Sequence, residues 1–379
     1  MRIGIDARCI RKPDLRGIGR YLANTIRYCA EREPAWQFLL FHDARAGQHD
    51  HFPDISNVRW VPLAMKGDRL FLWEQARFPW AARGADVGVL HSPANTAPLW
   101  QPRPAVLTLH DTLLMDFDED ETRGFLFYTR KIIPRALRTV KRIVTVSESS
   151  KRDIISRFRI PEDRVVVIYH GRDPDFRPAQ EPESVRVVLR RMGVKEKYVL
   201  CLGARGPRKN TARVIEAFRL LRERFPDVTL AVCGVQEDAQ AGLQRVIRDA
   251  GLENGVVVTG FVGREELVAL YSGARLLLYP SLYEGFGFPI LEAMACGCPV
   301  VTSNVSSMPE IAGGAGVLVN PETVTDIADK TARVLADERL RKEMREKGLK
   351  RAEAFDWRRS AEKMVEVYRE AAEGRDSAA

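Results

Sequence analysis

The sequence predicts an α/β protein made of two layered halves, each with a parallel sheet. Three observations predict it. Short β-branched runs alternate with amphipathic helical patterns along the whole chain, the pattern of βα units. That alternation is interrupted once, at HGRDPDFRPAQEPE (170–183), where three prolines among charges read as a linker, and then restarts. The 379 residues suit two domains at roughly 100–200 residues each. A hydrophobic fraction of 45% and a charged fraction of 29% exclude disordered, fibrous and collagen-like classes.

In the first half, Arg2–Asp6, Phe38–His42, Val87–Leu90, Val106–His110, Ile143–Val146 and Val165–Ile168 read as buried strands. In the second half the strands are Tyr198–Leu202, Val228–Cys233, Val256–Thr259, Leu276–Pro280, Pro299–Thr302 and Gly316–Val319, with helices near 210–225, 239–250, 264–272 and 289–296. Sheets of this kind bind ligands beyond the carboxyl ends of their strands, so a cleft between the halves is the expected site. No window approaches about 18 uninterrupted apolar residues and the N-terminus opens on a strand, so neither a membrane span nor a signal peptide is expected. Six scattered cysteines without CxxC spacing suit a reduced, cytoplasmic compartment.

Charge is uneven. Residues 1–180 carry 29 Lys and Arg against 22 Asp and Glu, whereas residues 181–379 carry 30 against 29. The first half is thus suited to an anionic partner. Its densest stretch, 123–159, interleaves Arg130, Lys131, Arg135, Arg138, Lys141 and Arg142 with Phe125, Phe127, Tyr128, Ile132, Ile133 and Leu137. An interfacial helix on an anionic membrane has that composition, and so has a core-packed helix with a solvated basic face.

Two segments carry chemistry. In YPSLYEGFGFPILEAMACGCPVV a strand runs into a loop with Gly285 and Gly287, followed by a helix with Pro289 at its first position. Glycines admit a ligand to the backbone, and the N–H groups opening a helix form a phosphate site. Glu284 stands at the mouth of the loop and Glu292 in the first helical turn, so both carboxylates border one pocket and suit sugar and ribose hydroxyls. The plainer reading makes Glu292 a helix-start charge and Glu284 a solvated loop residue. The second segment, GARGPRKN, places Arg205, Arg208 and Lys209 between a strand end and a helix capped by Asn210, a site for a diphosphate.

Together these segments resemble the retaining glycosyltransferases of family four, also called group 1, which have the GT-B architecture of two Rossmann-like domains with parallel sheets facing across a cleft. The resemblance covers nearly the whole chain. Its most specific part is EGFGFPILEAMACGCPVV followed by SNVSSMPEIAG; GFVGREELVALYSGA, TVSESSKRDI, HGRD and RGIGRY also match. It implies that Glu292 binds the nucleotide ribose, that Glu284 and the backbone of Gly285, Phe286, Gly287 and Phe288 hold the donor sugar, and that Lys209 binds the diphosphate. Gly17 and Gly19 would line the cleft, and His110 would lie beside the donor sugar. Many members carry arginine where this chain has Ala204, so the second phosphate cation is Arg205 or Arg208. The implied domains are residues 1–175 on the acceptor side, 176–356 for the nucleotide sugar, and a helix in 357–379 crossing back to the first.

The implied reaction transfers a sugar from a nucleotide sugar to a glycan or lipid-linked acceptor in surface polysaccharide synthesis, with retention and without a metal or other cofactor. GDP-mannose is the first choice of donor and a UDP-sugar the second. The chemistry of the residues leaves open an adduct on Glu284, a base role for His110, and a purely structural His110. Other readings are weaker. Asp116, Asp118 and Asp120 imitate an acidic metal motif but read as a helix-start charge cluster. A dinucleotide oxidoreductase is disfavoured because RGIGRYL has Leu22 where a third glycine belongs. A nucleic-acid binder lacks a reader motif. A GT-B phosphorylase would require inorganic phosphate.

Overall fold

The structure, a computed structural model, describes residues 1–11, 15, 17–45, 49–64, 71–113, 123–203 and 206–373. The chain divides into two units, Met1–Gly171 with the segment from Asp356, and Arg172–Phe355.

The first unit contains β1 (Arg2–Asp6), β2 (Gln37–Asp43), β3 (Val58–Leu63), β4 (Val89–Ser92), β5 (Ala105–Thr108), β6 (Arg142–Thr145) and β7 (Val165–Val167), in the order β3-β2-β1-β4-β5-β6-β7. The second contains β8 (Tyr198–Leu202), β9 (Thr229–Cys233), β10 (Val256–Val258), β11 (Leu276–Tyr279), β12 (Val300–Ser303) and β13 (Val317–Val319), in the order β10-β9-β8-β11-β12-β13. Every pairing is parallel. Parallel strands need crossovers that cover both sheet faces, which is why the central strands are aliphatic on both sides. Ile3 of β1, for example, lies between Phe38 and Val89, all three fully buried.

In each unit the strand order reverses at one place, between β1 and β4 and between β8 and β11. Crossovers leave opposite faces of the sheet there, so the loops at the carboxyl ends part and leave a crevice. The second unit's core packs Val214, Phe218 and Leu221 of the helix Thr211–Arg224 against Val199, Leu230 and Leu278. The last helix, Trp357–Glu373, belongs to the first unit, where it lies along Gly17–Arg32. Arg32 and Glu362 pair at 2.6 Å, and the Tyr368 hydroxyl reaches His91 at 2.8 Å.

Three expectations about elements are corrected. β3 was not expected; it is an edge strand, its Arg59 exposed and its Pro62 a non-donor, so its pattern is weak. The linker ends earlier than expected, because Pro182 opens a helix, Pro182–Arg191, and within the linker Asp173 and Phe176 are buried. The basic stretch 123–159 is not one interfacial helix, since β6 interrupts it between the helical segment 123–139 and the helix Glu148–Phe158.

Candidate active site

The crevice of the second unit is bordered by the loops after β8 and β11. The first loop ends in a single helical turn, Pro207–Lys209, that presents two cations in succession. Asn210 follows in the left-handed region, with φ 59°. It occupies the N-cap of the next helix, Thr211–Arg224, as expected, but its side chain makes no capping bond; its amide donates instead to the carbonyls of Pro280, at 3.0 Å, and Pro321, at 2.6 Å.

Between these loops Glu284 is buried among donors. Its Oε1 accepts from Lys209 Nζ at 2.8 Å, the Tyr279 hydroxyl at 2.7 Å and the Ser281 hydroxyl at 2.8 Å, and its Oε2 lies 2.6 Å from Arg208. Lys209 also donates to the Tyr279 hydroxyl. Burial alone would raise the Glu284 carboxyl, but Lys209 and Arg208 outweigh it and hold the group down at about 2. Burial lowers the Lys209 ammonium, with Glu284 opposing. Glu284 is therefore an anion at neutral pH and no solvated loop residue. Two cations facing one anion leave the cluster net positive.

The glycine loop is shaped by hydroxyls from the SNVSSMPE segment. Ser306 Oγ donates to the Glu284 carbonyl at 2.6 Å, and Ser307 Oγ lies 2.8 Å from that carbonyl and 2.7 Å from that of Phe286. Gly287, with φ 107°, turns the chain into the helix Phe288–Ala295, a conformation that a side chain opposes. The helix opens at Phe288, so Pro289 is its second residue and Glu292 its fifth. Glu292 thus sits in the second turn, buried, with the Tyr271 hydroxyl donating to it at 3.2 Å. That position corrects the expected first-turn placement and removes the helix-start reading, because the dipole acts mainly at the first turn. Burial, with the charges of Glu284 and Glu292 adding to it, pushes the Tyr279 hydroxyl well above its ordinary value.

Sequence reasoning missed Tyr271, Tyr279, Ser281, Ser306 and Ser307. The one legible signal was a tyrosine ending an otherwise aliphatic strand, LLLY. It also missed Arg264, whose Nη1 lies 2.9 Å from Asp173 and 2.6 Å from Asp175, and which senses Glu292. Arg205 falls outside the described residues, as do Asp116, Asp118 and Asp120. Among the described residues, no group of three or more His, Cys, Asp or Glu side chains is arranged to hold a metal ion.

The remaining predicted residues lie in the first unit. Gly17 opens the helix Gly17–Arg32 and is exposed; Gly19 is buried, and a Cβ there would stand 3.1 Å from the Cys9 carbonyl. His110 lies two residues beyond β5. Its N–H donates to Asn95 Oδ1 at 2.8 Å and its Nε2 lies 2.9 Å from the Pro93 carbonyl. A carbonyl only accepts, so Nε2 carries the proton and Nδ1 is the acceptor nitrogen. The ring packs edge-on against Tyr21 and lies 5.7 Å from His170. Burial lowers its pKa to about 4, so the imidazole is neutral at physiological pH.

A doubly wound parallel sheet with cations, a buried carboxylate and a helix start at its switch point defines a nucleotide-binding α/β enzyme. The comparisons with known proteins narrow the class. Residues 190–351 match the family described as glycosyl transferases group 1, and residues 15–176 match glycosyltransferase family 4. The O-antigen chain mannosyltransferase B of Escherichia coli is 31% identical over 388 aligned positions, covering 97% of this chain and 100% of that protein. The serotype-specific mannosyltransferase WbdA of Escherichia coli is 31% identical over 235 residues, covering 60% of this chain and 28% of that longer protein. Among solved structures, Anabaena HepE in complex with UDP and glucose superposes with a TM-score of 0.75 at 21% identity, covering 97% of this chain and 99% of that one. The glycosyltransferase of Rickettsia africae does so at 0.74 and 18%, covering 99% of both. The chain belongs to the group 1, family 4 glycosyltransferases, and it is a glycosyltransferase with the GT-B fold.

Proposed function

We propose that this enzyme transfers mannose, with retention, from GDP-mannose to a glycan or lipid-linked acceptor in cell-surface polysaccharide synthesis. The observation that carries the donor site is the Lys209–Arg208–Glu284–Tyr279 cluster at the switch point between β8 and β11. A sugar diphosphate is the ligand that a net positive cluster beside a helix start suits best. Lys209 and Arg208 take the diphosphate, Glu292 the ribose hydroxyls, and Glu284 with the backbone of Gly285–Phe288 the sugar. As the glycosidic bond breaks, negative charge grows on the leaving diphosphate, and cations preorganised by Glu284 stabilise it without a metal ion. Neutral His110 offers Nδ1 as an acceptor to a sugar hydroxyl, and the first unit takes the acceptor. The choice of mannose draws on the E. coli O-antigen chain mannosyltransferase B, which matches along its full length.

No helix among the described residues is long and apolar enough to cross a membrane. A cytoplasmic enzyme, touching the inner membrane face through the basic stretch 123–159, accords with a lipid-linked acceptor.

The test is a thermal-shift panel of GDP, GDP-mannose, UDP and UDP-sugars, followed by product analysis with the stabilising donor. GDP-mannose should stabilise most, by about 2.7 kcal/mol at 100 times its dissociation constant, and turnover should persist in EDTA. Stabilisation by UDP ligands alone overturns the donor assignment. Loss of turnover in EDTA overturns the metal-free scheme, and an inverted product overturns retention.

A further inference from the structure

A buried charged cluster that the proposed reaction does not use stands in the first unit, at the carboxyl ends of β1 and β4, where the strand order reverses. Asp6 closes β1, and Arg8 clasps it, with Nε 3.0 Å from Oδ1 and Nη2 2.6 Å from Oδ2. The same Nη2 reaches Glu74 Oε2 at 2.9 Å, and the guanidinium lies 4.3 Å over the Trp73 ring. Asp6 and Glu74 are 6% and 2% exposed, so two carboxylates share one guanidinium away from water.

Glu74 Oε1 collects three further donors: the Tyr128 hydroxyl at 2.8 Å, the Thr96 hydroxyl at 3.0 Å and Gln75 Nε2 at 3.0 Å. They converge from separate segments. Thr96 lies in the loop after β4, while Glu74 and Tyr128 stand in two short stretches whose backbone bonds span five residues, Phe78 N–H to the Trp73 carbonyl and Ile133 N–H to the Tyr128 carbonyl. Widened turns of this kind are rare and recur at functional sites. Arg8, Gln75, Thr96 and Tyr128 are half-buried, so they form a polar rim over the two carboxylates. The rim's polarity is set from below. Burial pushes the Glu74 carboxyl up and Arg8 opposes it, while N–H donors on both oxygens favour the ionised form. A carboxylate only accepts, so Thr96 and Tyr128 each spend their single proton on it and can only accept from a ligand.

We infer that this rim is an acceptor subsite, where Thr96 and Tyr128 accept hydrogen bonds from the hydroxyls of a neutral sugar and Glu74 is the positioning residue that orients both. The ligand that suits the rim brings O–H donors and no negative charge. Two carboxylates against one guanidinium leave the cluster net negative, so a phosphate would meet lone pairs and like charge. A neutral sugar supplies the donors, and a hydroxyl is also the nucleophile that a glycosyltransferase needs. The inference rests on the reading that the first unit takes the acceptor. It deepens that reading by naming the part of the acceptor that is held, the sugar at its end and no lipid phosphate.

The test is steady-state transfer to methyl mannoside and its monodeoxy analogues, with whichever donor stabilises the wild type, for Glu74→Gln, Thr96→Val and Thr96→Ser. Glutamine keeps the shape of glutamate but turns one hydroxyl round, because its amide donates where the carboxylate accepted. Glu74→Gln and Thr96→Val should each raise the acceptor KM about tenfold, with kcat, nucleotide affinity and melting temperature held, and Thr96→Ser should restore the wild-type KM. One monodeoxy analogue should lose the same factor with the wild type and nothing further with Thr96→Val. Three results would overturn the inference: an acceptor KM that neither variant moves, a fall in kcat and melting temperature with KM unchanged, or a wild type that leaves every neutral mannoside untouched. Hydrogen exchange with the mannoside bound separates this subsite from the reading beneath it. Protection elsewhere in the first unit would overturn the subsite alone, and protection confined to Arg172–Phe355 would overturn the acceptor reading with it. The expected KM pattern with a UDP-sugar and none with GDP-mannose would refute the donor assignment and leave the subsite standing.

Discussion

Glu284 is held as an anion by two cations and two hydroxyls inside a site that water scarcely reaches, so its neighbours set its chemistry. Lys209→Ala should lower kcat by roughly a hundredfold, the ~3 kcal/mol typical of losing one preorganised charge at a developing anion. The fold should survive, because Glu284 keeps Arg208, Tyr279 and Ser281. Circular dichroism beside single-turnover kinetics checks both halves of that expectation, and an unchanged rate with saturating donor refutes the assignment. Gly287→Ala should cost about 1–2 kcal/mol, because φ of 107° is hostile to any Cβ; a denaturant midpoint equal to wild type would contradict it. The sequence displayed Glu284, Glu292 and Lys209 because glycine and proline punctuate their loops. It was silent on Tyr271 and gave Tyr279 only as the polar end of an aliphatic strand, because a tyrosine at strand or helix spacing reads as core until its hydroxyl is seen to meet a carboxylate.

Elements were legible in proportion to their burial. The central strands, apolar on both faces, stood out, whereas β3 at the sheet edge and the helix opening at Pro182 were hidden by exposed charges and prolines. The terminal helix Trp357–Glu373 shows what an element adds beyond its own pattern. Its Tyr368 hydroxyl bonds Nδ1 of His91, whose Nε2 bonds the Thr108 hydroxyl, which in turn meets the hydroxyl of Tyr21 at 2.8 Å. One chain of bonds thus joins the last helix to β4, β5 and the helix Gly17–Arg32. Tyr368→Phe should cost about 1–3 kcal/mol, since it strands a buried imidazole nitrogen. A melt monitored by circular dichroism reads that loss; an unshifted melting temperature would show that the bond contributes nothing net.

On the scale of the molecule, three buried histidines make the first unit sensitive to acid. Burial lowers His91 to about 3 and His110 to about 4, and lowers His170 well below its ordinary value, with Arg20 adding to the effect. Each imidazole is neutral in the fold and binds a proton more readily once unfolded. Stability is therefore complete above pH 6.5 and should fall as pH drops towards 4, by roughly 1 kcal/mol per pH unit for each group. Glu284 adds a second loss nearer its own low range, between about 4.5 and 2. Melting temperatures measured from pH 7 to 4 check the first window, and a flat profile would contradict the buried-neutral assignment. What the sequence determined by itself was the alternation of βα units, the division into two sheets, the glycine loop and the candidate carboxylates and cations, because these depend on hydrophobic period and on local backbone chemistry. Only the tertiary structure decided that Arg208 and Lys209 close on Glu284 from a loop some 75 residues earlier, that Glu292 is gripped by Tyr271, and that Trp80 and Trp100 meet at the surface. Strand order brings those groups together, and strand order is a property of long-range packing that local periodicity does not encode.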